Sequence, residues 1–189
     1  GDGRVTGGLD ATVSVAANSD RLGYFSIPEV YLKTYSYANY KETRSQWFVF
    51  GRKLEEWSRV DSYWKLGVTQ PLFSADLLRP QEQGFVGLFL NLEIAPNLQF
   101  MGLYSPVFIP EQGPPFEVRN NKILSPSPWF SSPTNSFVLY NGTADIFYSV
   151  NTPSIMSIVR KETKGARVLL GHLEDGAWLK MSYMQKPRN

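Results

Sequence analysis

Arg52, Lys53, Arg59 and Lys65 bracket Glu55, Glu56 and Asp61 in one short stretch of the chain. Mixed charges at this spacing have two uses. Around a water-lined hairpin they tune ion selectivity; on a solvated turn they make weak surface pairs. They do not make an acid/base catalyst. Glu55 and Glu56 are adjacent, and neighbours on a strand point to opposite faces. Asp76 and Glu82 would meet across a helical turn, but they read as ordinary loop carboxylates.

His172 is the only histidine, and there is no cysteine. One imidazole cannot build a histidine-rich metal site. Zinc thiolates, disulfides and cysteine nucleophiles are excluded. A serine triad would need His172 beside a serine and an acid, and the chain has no Gly-x-Ser-x-Gly elbow. His172 reads as a structural residue at a strand end. Gly1-Asp2-Gly3 and Gly7-Gly8 precede a strand and not a helix, so they are no phosphate loop. Asn141-Gly142-Thr143 matches a glycosylation acceptor, yet a hairpin turn accounts for it. No catalytic residue, metal site or cofactor is expected, and the chain does not read as an enzyme.

The balance of 19 basic and 17 acidic residues argues against a nucleic-acid footprint. Charged residues are scarce at 19% and aromatics abundant at 14%, a mix that suits membrane barrels, carbohydrate binders and β-sandwiches. No apolar run is long enough for a membrane-crossing helix. No charged-then-apolar leader opens the chain, so an exported protein would be present in mature or excised form.

The elements that must position these side chains read mainly as strands. In Leu9–Ala17 the residues Leu9, Ala11, Val13, Val15 and Ala17 share one face, with Asp10, Thr12, Ser14 and Asn18 on the other. Such a segment is greasy on one side, wet on the other, and long enough to cross a bilayer when tilted. Glu29–Tyr40, Gln46–Lys53 and Ser62–Val68 follow as strands. Phe85–Glu93 puts Val86, Leu88, Leu90 and Leu92 on one face and Gly87, Phe89, Asn91 and Glu93 on the other. A turn at Ala95-Pro96-Asn97 joins it to Leu98–Tyr104. Ser136–Tyr140 and Thr143–Val150 flank Asn141-Gly142, a favoured hairpin dipeptide. Ser154–Lys161, Ala166–His172 and Ala177–Gln185 complete the set. The one candidate helix lies around Ser74–Glu82, limited by Pro80.

These segments make roughly ten strands in an antiparallel up-and-down meander, an all-β fold. The insertion from Ser105 to Pro133 breaks the rhythm with prolines, including Pro106, Pro110, Pro114, Pro115, Pro126, Pro128 and Pro133. Its Phe108, Ile109, Phe116, Ile123, Leu124, Trp129 and Phe130 argue against disorder. The domain reading is one unit over 1–189, with 105–133 inserted as a loop.

The whole chain resembles a bacterial outer-membrane β-barrel of the porin type. The alternation at Leu9–Ala17 and Val86–Leu92 carries the likeness. Tyr24, Tyr40, Trp64, Tyr104, Tyr140, Tyr148 and Tyr183 would supply the interfacial aromatic girdles. The resemblance implies a transmembrane barrel, or an arc of a larger one, acting as a passive pore or scaffold in the outer membrane. Asp10, Glu29, Lys33, Arg52, Lys65, Glu93 and Asp145 would line the lumen. The 105–133 loop would cap or narrow it, with Phe108, Glu111, Arg119 and Trp129 at the constriction. Partners would be the lipid bilayer, small polar solutes and other barrel subunits or the rest of a larger barrel. Barrels of this class usually end in an aromatic residue, whereas this chain ends Met184-Gln185-Lys186-Pro187-Arg188-Asn189. Either the last strand ends at Tyr183 or the strands form an arc whose edges need partners. The alternative is a secreted or periplasmic β-sandwich that binds carbohydrate, alone or as part of a glycoside hydrolase, with Trp57, Trp64, Trp129 and Phe130 stacking on sugar rings.

Overall fold

A computed structural model describes residues 4–15, 23–39, 42–125, 127, 130–151, 154–171 and 176–187. The strands are β1 (Arg4–Val15), β2 (Gly23–Asn39), β3 (Glu42–Lys53), β4 (Leu72–Phe73), β5 (Gln81–Glu82), β6 (Phe85–Ala95), β7 (Leu98–Val107), β8 (Glu117–Arg119), β9 (Lys122–Leu124), β10 (Ser136–Leu139), β11 (Gly142–Asp145), β12 (Thr163–Gly171) and β13 (Trp178–Gln185). Two short helices join them, α1 (Arg59–Trp64) and α2 (Ile155–Val159). The fold is all-β. Seven strands form one antiparallel sheet in the order β1-β2-β3-β6-β7-β12-β13, and the other six pair as small hairpins.

Alternation assigns the sheet two unlike faces. Leu32, Phe50, Leu88 and Tyr104 stand in one cross-strand row, and Thr34, Phe48, Leu90 and Gly102 in the next. The row continues through Ala166 and Tyr183, and a further one runs from Phe100 through Val168 to Met181. On this face Leu9 is 73% exposed, Phe50 62% and Met181 55%. The buried cluster lies on the opposite face. There Val49, Phe85, Phe89, Met101 and Leu103 pack with Trp57, among charged and polar neighbours. Gly51 sits in that face at φ +131, where a Cβ would come within 2.5 Å of the Val30 carbonyl oxygen. Only glycine fits there.

Connections differ at the two ends of the sheet. β6 and β7 are joined through Pro96 and Asn97, and β2 ends at Asn39 just before β3 begins at Glu42. The opposite end carries the long connections, 54–84 between β3 and β6 and 108–162 between β7 and β12. Register shifts interrupt the ladder between Asp10 and Thr12, at the foot of β6 and near its end.

Several strand expectations are met, with shifted ends. β6 and β7 form the hairpin read around Pro96, and β12 pairs with β13. The β10–β11 turn falls on Tyr140 and Asn141, with Gly142 opening β11. Ala16, Ala17, Asn18, Tyr40 and His172 lie outside the described residues.

Other expectations are corrected. Ser62–Val68 is no strand. Ser58 caps α1 by accepting from the Asp61 amide at 3.3 Å, and Lys65 ends it at φ 48. Ser74–Glu82 is no helix, because the Ser74 amide donates to the Gln112 carbonyl at 2.7 Å and Pro80 has no donor. Ser154–Lys161 contains α2, and the strand expected to reach Val150 stops at Asp145.

Candidate functional site

The polar face of the sheet is crossed by the segment 54–71. It leaves β3 at Lys53 and reaches as far as β13. The Ser182 hydroxyl donates to the Trp57 carbonyl at 2.7 Å, and the Lys186 ammonium donates to the Gly67 carbonyl at 2.9 Å. Between these ends Arg167 of β12 donates to the Glu56 carbonyl at 2.7 Å. This strap is pinned by one large side chain. Trp57 is 1% exposed, and its ring lies over Gly165, where a Cβ would be 3.0 Å from Cη2. A side chain at 165 would lift the ring, so the missing Cβ is what lets the strap lie flat.

Acids on the strap meet bases on the wall. Glu55 lies 3.1 Å from Lys53 and 3.7 Å from Arg167, and Glu56 lies 2.6 Å from Lys180. The two neighbouring carboxylates thus diverge to separate cations. Arg167 and Lys53 also stand over the rings of Trp57 and Tyr31, and Lys33 lies 4.3 Å from the Trp47 ring. Such pairs hold long basic side chains against the wall.

Asp61 fastens the far end of the strap. It is buried, and its carboxylate accepts from the Val68 amide at 2.9 Å and from the amide and hydroxyl of Thr69. Burial alone would raise its pKa, but these hydrogen bonds outweigh it and hold the carboxyl below the usual range. Burial lowers the Lys186 ammonium, opposed by Glu111 and Asp61.

The residues expected to line a lumen separate into groups. Asp10, Glu29, Lys33 and Glu93 belong to the polar face by register, and Glu29 accepts from the Leu54 amide at 2.8 Å. Arg52 does not. It pairs with Val30 and Val86 on the apolar face, beyond the Gly51 kink, and turns to Gln83. Lys65 is on the strap, where it ends α1, and belongs to no strand. Asp145 is exposed on the separate β10–β11 hairpin, which is not part of the wall.

The expected constriction also divides. Phe108 is fully buried, its amide bonded to the Val159 carbonyl at 2.9 Å. Glu111 reaches Gly67, close to the end of the strap. Arg119 is exposed on the β8–β9 hairpin and pairs with Glu117 at 3.2 Å. Trp129 lies outside the described residues. The base of the 105–133 insertion therefore abuts the strap, while its hairpin stands away. The strap itself is what crosses the wall.

Among the expected girdle residues, Tyr104 and Tyr183 are exposed on the apolar face, whereas Trp64 belongs to α1 and Tyr140 to a hairpin tip. Tyr148 donates to the Thr134 carbonyl at 2.7 Å within the long connection. The side chain of Tyr24 lies outside what is described.

Sequence reading missed Trp57, Gly165, Arg167, Lys180 and Ser182 as a unit. The signal was present in the alternation of β12 and β13, where Arg167, Lys180 and Ser182 oppose Val168, Leu179 and Met181. Nothing local marks Trp57 as the residue that joins them. Comparisons with protein-family models, with curated proteins and with solved structures each find nothing that matches this chain.

Proposed function

We propose that this chain forms wall of an outer-membrane β-barrel and works as a passive pore, narrowed by the strap 54–71. One observation carries the reading. The apolar face is uncovered on strand after strand, while the face bearing Lys53, Arg167, Lys180 and Glu29 is covered by the strap. A sheet in water buries its apolar face. A sheet in lipid turns that face outward and keeps the polar one for the lumen. Short turns at one end and long connections at the other fit the same membrane asymmetry. A soluble sandwich would need a second layer over Leu88, Leu90 and Phe50, and those side chains are exposed.

The purified protein is expected to need detergent, to shift its gel mobility on heating and to open steady conductance in planar bilayers. A monomer that stays soluble without detergent would sink the reading.

A further inference from the structure

A cavity of about 290 Å3 opens at the loop-rich end of the sheet. Its apolar walls are Phe25 and Ile27 of β2, Phe73 of β4 and Ile109 of the long connection. Arg52 supplies the charge. Its guanidinium donates to Gln83 Oε1 at 2.6 Å and to the Gly84 carbonyl at 3.2 Å. Gln83 is buried and is held in turn by donating to the buried Ser26 hydroxyl at 2.9 Å. The guanidinium is thus aimed by a relay of neutral groups. Among the described residues no ion pair to a carboxylate involves Arg52.

A part-buried cation whose partners among the described residues are all neutral is costly unless an anion joins it. Three of the five guanidinium donors remain after the two bonds above. Apolar walls beside such a cation suit a ligand that has both a charged head and a hydrocarbon tail. We propose that this cavity binds an anionic amphiphile, with a phosphate or carboxylate head on Arg52 and an acyl chain along Phe25, Ile27 and Phe73. Phe25 is exposed beyond the cavity, so the tail has an apolar route out along the sheet. The inference rests on the reading that the apolar face meets lipid. It adds to that reading a lipid site at the water boundary, where a basic residue meets lipid head groups.

The test is native mass spectrometry of the detergent-purified protein titrated with phosphatidylglycerol, phosphatidylcholine or inorganic phosphate. Phosphatidylglycerol is expected to be retained over phosphatidylcholine, and Arg52→Gln to cut that preference about tenfold, the scale of one charge-assisted contact. Ile109→Glu, which places an acid in the cavity, is expected to do the same without touching the relay. Lys122→Gln on the exposed β9 is expected to leave it unchanged. Equal retention of the two lipids, or a preference indifferent to both cavity variants, would overturn the proposal. So would inorganic phosphate competing as well as the lipid, since the site would then be one for a free anion. Conductance of the same preparations is recorded separately. Conductance without lipid preference removes this site alone, and preference without conductance removes the pore alone.

Discussion

Asp61 shows how much one side chain holds. Its carboxylate gathers Val68 and Thr69 around the end of α1, so the strap depends on its charge. Asp61→Asn is expected to cost about 1.5–3 kcal/mol, the range for a hydrogen bond to a charged group. The Asp61 carboxyl is held below its ordinary value, so its stabilisation is complete above the pKa of an unfolded aspartate, about 3.9. It is lost as pH falls through the lower folded value. The thermal unfolding temperature is therefore expected to fall from pH 6 to pH 3 in the wild type, and to change less in Asp61→Asn. Glu55 and Glu56 make a second residue-scale case, because Lys53, Arg167 and Lys180 face them. The Glu55→Gln, Glu56→Gln double variant is expected to shift the bilayer reversal potential towards anion preference. An unchanged potential would mean that ions do not pass this strap.

At the scale of elements, strands were legible and the strap was not. β6 could be read from Val86, Leu88, Leu90 and Leu92 because a period of two survives any neighbour. α1 was hidden because Trp64, Leu66 and Val68 also alternate, and six residues give helical spacing little room. The Ser58-to-Asp61 cap was the overlooked signal. The crossing of the polar face depends on Trp57 meeting Gly165, far apart in sequence, which no local pattern encodes. Trp57→Ala is expected to cost about 3–5 kcal/mol through the cavity it leaves. Gly165→Val is expected to push the ring off β12 and destabilise by about 1–3 kcal/mol. Both variants are expected to enlarge the single-channel step in planar bilayers if the strap narrows the opening.

For the whole molecule, the side that faces outward decides the solvent. Leu88→Lys and Leu90→Lys place charge on the uncovered apolar face. In lipid such a change costs about 2–4 kcal/mol near the midplane. Insertion into liposomes is expected to fall sharply, whereas a soluble protein would gain solubility from the same change. The sheet also has a direction. β1 and β13 are first and last of seven antiparallel strands, so both run the same way. Copies related by an axis along the membrane normal keep that direction, and joining β13 of one to β1 of the next makes a parallel seam. Two copies would reach an even total and still carry such seams. Were this sheet to close as a barrel by antiparallel pairing alone, it would take an odd number of strands beyond these seven, and whole copies of the same seven would not supply them.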